Sequence, residues 1–210
     1  MGGFSYSEGL ESAVDAGRVT DEASAARWLL AQAGTDAGAR PEAPLLVASA
    51  PERADDRAAV AALNDWVRRT RESAELRAQG EQMGRSLVDW LRNGRQGSDP
   101  RIAVLAALAP APAWPVAFAL AGVLAGAEDE ALVQAFAFGW AENLVQAAMK
   151  AVPLGQAAGQ RVLAALAEAI PALAARAAAL PADRPLQAFA PGLAVLSARH
   201  EAQYSRLFRS

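Results

Sequence analysis

The sequence is 210 residues long, contains no cysteine and a single histidine, and carries a formal net charge of −3. Without cysteine there can be no disulfide framework, thiolate zinc site or thiol nucleophile, and one histidine excludes a multi-histidine metal centre within one chain. The mild negative charge argues against a general nucleic-acid-binding protein, which needs a basic surface. A hydrophobic content of 53% excludes a disordered chain and can supply one sizeable core.

The composition predicts helical structure throughout. Alanine is the most frequent residue, whereas the β-branched residues that favour strands are scarce. We therefore expect an all-α fold, a compact single-domain bundle of roughly eight to ten helices. In chain order, the predicted helices cover residues 8–16, 21–32, 55–71, 73–92, 114–125, 129–150, 153–170, 171–180 and 193–203. Residues 102–108 are either a short helix or an apolar segment, residues 35–44 are a loop, and residues 45–49 form one helical turn.

Glycine and proline define several predicted helix features. Gly17 ends the first helix, and Pro153 and Pro171 each stand in a first helical turn, where the missing N–H of proline is tolerated. Gly80 and Gly84 lower the helix propensity of the segment 73–92, which predicts that another helix approaches closely there.

Charge is distributed unevenly along the chain. Residues 1–100 carry 16 acidic and 12 basic side chains, whereas residues 101–210 carry 7 acidic and 8 basic side chains. Because the second half is less charged, it is expected to hold the middle of the core.

The longest uncharged run, residues 102–127, is cut by three prolines, which predicts a buried core helix rather than a membrane span. Because a signal peptide is not recognisable, we expect a cytoplasmic protein that contacts neither membrane nor nucleic acid.

Recognisable catalytic and cofactor-binding motifs are missing from the sequence. There is no P-loop, no dinucleotide-binding glycine motif and no G-x-S-x-G nucleophile motif. The one histidine, His200, stands between Arg199 and Glu201, where we expect a solvent-exposed or interface histidine. Acidic pairs such as Asp55–Asp56 lie near predicted helix N-termini, where the helix dipole favours them. The sequence predicts a non-enzymatic protein with no catalytic residue, no cofactor and no metal site.

Three stretches are unusual for a simple helical bundle. Aromatic and hydroxyl residues alternate over residues 3–11, which indicates either a tether packed on the core through Phe4 and Tyr6 or a partner surface. Polar residues recur on one side of the helix 129–150, which indicates either a solvated face or a polar groove or interface. The tail 199–210 combines Tyr, Phe and Arg, as interface anchors do, and is either an unstructured end or an exposed segment that orders on binding.

These stretches supply the candidate partner-binding residues. They are Phe4, Ser5, Tyr6, Ser7, Gly9 and Glu11 at the N-terminus; Glu142, Asn143, Gln146, Lys150, Gln156 and Gln160 on two central helices; and Arg199, His200, Glu201, Gln203, Tyr204, Ser205, Arg206, Leu207 and Phe208 in the tail.

The same stretches resemble signature sequences of the urease accessory protein UreF family. Residues 2–11 (GGFSYSEGLE) are similar to the family's opening motif, and residues 139–143 (GWAEN), 152–156 (VPLGQ) and 159–161 (GQR) resemble its central motif. Residues 199–208 resemble its terminal motif. The motifs occur in the same order and at matching spacing, and the resemblance covers most of the chain. Family members carry a further segment ahead of the first motif, where this sequence has only Met1.

This resemblance implies an all-α fold, a homodimer, a helical domain at residues 1–198 and a partner-binding tail at 199–210. It implies a scaffold that bridges UreD, also called UreH, and the GTPase UreG in the complex that delivers nickel to apo-urease. By the same resemblance, both chain ends contact UreD, the tail orders on that contact, and UreG docks on the complex. A chain without nickel ligands is consistent with a scaffold whose partners hold the metal.

Two other functions stay open at this point. The protein could be a helical adaptor for a partner unrelated to urease, because the interface-like stretches do not by themselves specify a partner. It could also be a small-molecule enzyme that uses Glu142 or Gln156 in a groove, although no catalytic motif surrounds either residue.

Overall fold

A computed structural model describes residues 6–33, 57–179 and 190–209. Within these ranges the chain forms nine α-helices and no strand, which confirms the predicted all-α fold. The helices are α1 (Leu10–Asp15), α2 (Glu22–Ala33), α3 (Arg57–Arg69), α4 (Ala74–Arg92), α5 (Pro100–Ala106), α6 (Trp114–Ala125), α7 (Asp129–Ala151), α8 (Gln156–Ala178) and α9 (Pro191–Glu201). The predicted loop 35–44, the turn 45–49, the first residues of the helix 55–71 and residue 180 lie outside the described residues.

Local sequence signals explain several helix ends. The Asp21 carboxylate accepts a hydrogen bond from the Ser24 backbone N–H at 2.8 Å, and the Ser73 hydroxyl accepts one from Leu76 at 3.2 Å, so both residues cap the helices that follow them. The α1 helix is followed by Gly17, which has a φ of 68° as a terminating glycine requires.

The first helix is shorter than predicted because two residues ahead of it adopt left-handed backbone conformations. Glu8 has a φ of 49° and Gly9 a φ of 80°, so α1 begins only at Leu10. The prediction of a helix from residue 8 was therefore wrong by two residues.

The two proline assignments near α8 were also wrong. Pro153 lies ahead of the helix, in a connection that opens at Val152 with an extended backbone, as the residue before a proline prefers. Pro171 lies inside α8, so the two predicted helices are one. Because proline has no backbone N–H, the hydrogen bond that residue 171 would donate to the Ala167 carbonyl oxygen is missing. Ile170 and Ala174 are buried, and their packing keeps the helix continuous.

The two glycines of α4 have different surroundings. A Cβ atom placed on Gly84 would lie 1.9 Å from the carbonyl oxygen of Pro112, so the chain ahead of α6 packs directly on the α4 backbone at this position. A Cβ atom on Gly80 would meet nothing within 4 Å. The prediction of close approach was right for Gly84, although the neighbour is a connecting segment rather than a helix, and wrong for Gly80.

Helix α7 is the centre of the molecule. Its buried residues contribute to all four hydrophobic clusters among the described residues. Phe136 belongs to the cluster formed with α3–α6, and Ala148 to the cluster formed with α1, α2 and α9. Leu144 belongs to the cluster formed with α2 and α8, and Val133 to a small cluster formed with α8. The most extensive helix pairs are α7 with α8 and α4 with α6. The second half of the sequence therefore does supply the middle of the core, as predicted.

Close packing of α7 on α8 depends on a small residue. A Cβ atom on Gly159 would lie 2.3 Å from the sulfur of Met149, so the Met149 side chain occupies the space that a larger residue would need.

None of the helices in the described ranges is both long enough and apolar enough to span a bilayer.

Candidate functional site

The N-terminal segment 6–11 is held between α4, α7 and α9. The Tyr6 side chain is buried, its hydroxyl donates a hydrogen bond to the Gln82 side chain of α4 at 2.9 Å, and its carbonyl oxygen accepts one from the Asn143 amide of α7 at 3.2 Å. The segment is therefore a packed element whose polar groups are satisfied by two helices.

Glu8 joins the same two helices. One oxygen of its carboxylate accepts a hydrogen bond from the indole N–H of Trp140 at 2.9 Å, and the other accepts one from the Gln79 amide at 3.1 Å. Because hydrogen bonds to a charged acceptor are stronger than neutral ones, this carboxylate can stabilise the left-handed backbone of its own residue.

A cluster of ionisable side chains, of which Glu11 and His200 are buried, lies at the far side of the segment. We call it the terminal junction; it consists of Glu11 on α1, Glu75 on α4, His200 on α9 and Arg206 in the tail. The His200 ring has no solvent exposure; its Nδ1 lies 2.6 Å from a Glu75 oxygen and its Nε2 lies 3.1 Å from a Glu11 oxygen. The other Glu75 oxygen accepts a hydrogen bond from Arg206.

The terminal junction engages both ring nitrogens of His200 with carboxylates of two different helices. A neutral ring has one N–H and could donate to only one of the two carboxylates, whereas an imidazolium donates to both. Together with Arg206, the His200 ring therefore links the first turn of α4 to α1 and to the tail.

Glu11 also fixes the tail through its backbone. Its two oxygens accept hydrogen bonds from the N–H groups of Leu207, at 2.6 Å, and of Phe208, at 3.0 Å. The Phe208 ring is buried in the cluster that includes Leu10, Val19, Ala25, Val152 and Leu196. The described part of the tail is therefore bound to the helices through both polar and apolar contacts.

The start of α4 is tied to α9 next to the terminal junction. The carboxylate of Glu201 accepts a hydrogen bond from the Ala74 backbone N–H at 2.9 Å, where a negative charge is favoured by the helix dipole. The Ser197 hydroxyl donates to the capping Ser73 hydroxyl at 2.6 Å. These contacts place the first turn of α4 against the helix that leads into the tail.

The geometry of this site is that of a binding and packing element. Both ring nitrogens of His200 are engaged, and they point to opposite sides of the ring. In the described ranges no three His, Cys, Asp or Glu side chains are arranged to hold a metal ion. A separate small apolar pocket between α2, α7 and α8 is lined by Ala33, Ala137, Trp140, Ala141, Leu166, Ala169, Ile170 and Leu173, a lining without any titratable side chain.

The structure divides the candidate partner-binding residues into three sets. The buried ones are Tyr6, Ser7, Gly9, Glu11, His200 and Phe208; the partly buried ones are Asn143 and Gln203; and the exposed ones are Glu142, Gln146, Lys150, Gln156, Gln160, Arg199, Glu201, Tyr204, Ser205, Arg206 and Leu207. Phe4 and Ser5 lie outside the described residues. Glu142, Gln146 and Lys150 form one exposed strip on α7, with Asn143 turned inward.

Two expectations about exposure were wrong. His200, expected at the solvent or an interface, is fully buried because two carboxylates enclose it. Phe208, expected to be exposed with Tyr204, is 5% exposed because its ring fills the space between α1, α7 and α9. Tyr204 is fully exposed and Leu207 is 70% exposed, as expected for an interface segment.

Sequence reasoning missed the α4 side of the site. Glu75, Gln79 and Gln82 bind the N-terminal segment and His200, yet they stand in a stretch that reads as an ordinary amphipathic helix. The predicted helix start at Ser73 was the only available signal, and it does not indicate which distant residues the helix contacts.

Described residues of the three motifs that carried the family resemblance contact one another: the first motif binds Trp140 and Asn143 of the central motif and the backbone of the terminal motif. A model of the UreF family matches residues 19–167 of the chain. The urease accessory protein UreF of Methylibium petroleiphilum is 59% identical over the whole chain, which covers 88% of that protein, and that of Paracidovorax citrulli is 57% identical, with 84% covered. The UreF of a Polaromonas species is 51% identical over the whole chain, with 89% covered. On the strength of these matches, the chain belongs to the UreF family of urease accessory proteins.

Proposed function

We propose that this protein acts in urease maturation as a non-enzymatic cytoplasmic scaffold that bridges UreD (UreH) and the GTPase UreG during GTP-dependent nickel insertion into apo-urease. The relatives' names give urease accessory activity, and the finer role rests on the resemblance of the motifs. The proposal includes a homodimer.

The observation that carries the proposal is the convergence of both chain ends on the terminal junction. Glu11 binds the backbone of Leu207 and Phe208, so the N-terminal motif supports a tail whose Tyr204 and Leu207 side chains face the solvent. Large exposed apolar side chains beside arginines are typical of protein interfaces. A rigidly held segment of this kind suits a partner contact because less conformational entropy is lost on binding.

A non-enzymatic role is supported by the positions of the residues that would serve an enzyme. Glu142 and Gln156, the two candidates for catalysis in a groove, are both exposed, and neither lines the apolar pocket between α2, α7 and α8. A catalytic acid or amide is usually held in a partly enclosed site.

The test must separate loss of a partner surface from loss of folding. Deleting residues 199–210 would remove the buried His200 and Phe208, so we choose the exposed pair and change Tyr204→Ala together with Leu207→Ala. We expect capture of UreD, and of UreG through UreD, to fall at least about tenfold while the thermal unfolding midpoint stays unchanged. Phe138→Ala, which removes another exposed aromatic residue from the middle of α7, is the matched control and should retain capture.

Unchanged capture of UreD by the double variant would exclude the tail from the proposal. The maturation role itself is tested in a strain that lacks this protein, where urease should accumulate without nickel and without activity. Normal urease activity in that strain would overturn the role and favour the adaptor for an unrelated partner.

A further inference from the structure

Helix α7 is uncovered along one side, although it lies at the centre of the molecule. At 3.6 residues per turn, its exposed residues fall within a sector of about 120° around the helix axis. They are Ala131, Ala135, Phe138, Gly139, Glu142, Gln146 and Lys150, and we call them the open face. A helix whose other sides contribute to several hydrophobic clusters is normally buried all round, so the open face lacks a neighbour within the described part of the chain.

The first half of the open face is apolar and built from small residues. Ala131, Ala135 and Gly139 follow one another at intervals of four residues, and a Cβ atom on Gly139 would meet nothing within 4 Å. Phe138 stands beside this row and is 44% exposed. Small residues in such a row allow the axis of another helix to approach to about 8 Å, where its side chains would also cover Phe138. The shape of the open face therefore suits a packed helix.

The two ends of the open face carry opposite charges. Lys150 is in the last turn of α7, and Glu128 is the N-cap residue, whose side chain makes no capping hydrogen bond. Both are exposed, and neither forms an ion pair with another described residue. Each lies eleven residues from Gly139, which is about three turns and about 17 Å along the helix, so the three residues lie in one line.

An identical face turned end to end fits this pattern. When two α7 helices pack antiparallel and cross at the glycine, Lys150 of each copy meets Glu128 of the other, and the twofold symmetry forms this ion pair twice. The two Phe138 rings then lie on the same side of the helix pair, close enough to cover each other. Glu142 lies opposite the small Ala135 of the second copy, which leaves its carboxylate room to reach the solvent.

We infer that the open face of α7 is the contact of the homodimer, in which two α7 helices pack antiparallel about a twofold axis at Gly139. A parallel pair is disfavoured because it would bring Lys150 to Lys150 and Glu128 to Glu128. The inference rests on the proposed function in one respect: it takes the homodimer from there and locates its surface. Tyr204 and Leu207 of the tail are not part of the open face, so UreD capture and dimerisation can be measured separately.

The experiment measures the dimer dissociation constant of the full chain by sedimentation equilibrium over a range of concentrations. Gly139→Gln adds a side chain for which the protomer has room but which the α7 helix of a second copy would meet. We expect the dissociation constant to rise at least about tenfold, with no fall in the unfolding midpoint of the dilute monomer. Gly80→Gln is the matched control, because its Cβ atom also has open space, and it should leave the dissociation constant unchanged.

Charge reversal tests the antiparallel register. Lys150→Glu and Glu128→Lys should each weaken the dimer about fivefold or more, because each places like charges together at both ends of the contact. The double variant restores opposite charges and should recover most of the wild-type affinity. Phe138→Ala should weaken the dimer while it retains UreD capture, which separates this surface from the tail.

Four results would contradict the inference, in different ways. A dissociation constant that is the same in wild type and Gly139→Gln would overturn this inference alone and leave the scaffold role standing. A wild-type protein that stays monomeric at all concentrations would overturn it together with the homodimer of the proposed function, whereas UreD capture tests the rest of that function. Failure of the double charge variant to recover affinity would reject the antiparallel arrangement, and a lowered midpoint of dilute Gly139→Gln would assign Gly139 to packing within the protomer; both outcomes reject the inference.

Discussion

Nε2 of His200 lies 3.1 Å from a carboxylate oxygen of Glu11, although the two residues are 189 positions apart in the sequence. The same carboxylate holds the backbone of the tail, and the opposite ring nitrogen of His200 contacts Glu75. The two ends of the chain are thus one structural unit, and α4 supplies its third side.

The first prediction concerns the carboxylate at the centre of this unit. Glu11→Ala removes the acceptor of the Leu207 and Phe208 N–H groups and leaves His200 with one carboxylate fewer. We expect the unfolding free energy to fall by about 3 kcal/mol, because the buried His200 ring and the buried Phe208 N–H both lose a hydrogen-bond partner. Amide hydrogen exchange at residues 207 and 208 should become faster, which mass spectrometry of the C-terminal peptide measures.

The control for this change lies on the same helix. Asp15→Ala removes an exposed carboxylate at the end of α1 and should alter neither stability nor tail exchange by much. If the tail peptide of Glu11→Ala exchanged at the wild-type rate, the support of the tail by Glu11 would be refuted.

The second prediction compares two glycines in one helix. Gly84→Ala should destabilise the protein by about 1–3 kcal/mol or more, because the new methyl group meets the Pro112 carbonyl oxygen, a backbone atom that cannot turn away. Gly80→Ala has open space and should be neutral or stabilising by up to about 1 kcal/mol through helix propensity. Urea denaturation of both variants should give shifts of opposite sign or clearly unequal size, and equal shifts would disprove the close contact at Gly84.

The third prediction concerns acid stability. The hydrogen bonds from Arg161 on α8 hold the pKa of the Glu22 carboxyl on α2 below its ordinary value of 4.5. Since the pKa is lower in the folded than in the unfolded state, the stabilisation is present above pH 4.5 and is lost as the pH falls through the folded pKa. Glu22→Gln should therefore lose less stability than the wild type on acidification.

Urea midpoints measured from pH 7 down to about pH 3 test this expectation. Solvent screens the pair, so the difference should be small and should shrink further in high salt. The corresponding change at an exposed carboxyl of another helix, Asp15→Asn, serves as the comparison. A steeper acid loss in Glu22→Gln than in the wild type would reverse the assigned sign.

Most helices could be predicted because their signals are local. Ser73 and Gly126 act within a few residues, and the helix ends next to them were placed within one residue. Helix α5 begins at Pro100, behind the capping Asp99, so its predicted start at residue 102 was two residues late. Pro171 misled the prediction because its local penalty was overcome by burial of Ile170 and Ala174, which depends on contacts with other helices. Gly84 could be recognised as unusual, but its neighbour Pro112 could not be identified from the sequence.

The sequence by itself determined the helical class, the family resemblance and the residue types at both chain ends. These follow from composition, helix periodicity and short motifs, which depend on neighbours along the chain. Only the tertiary structure decided that His200 and Phe208 are buried, that Tyr204 and Leu207 are exposed, and that Trp90 faces the solvent at the other end of α4. Burial depends on which distant segments pack together, and no local pattern around His200 indicates that Glu11 and Glu75 will enclose it.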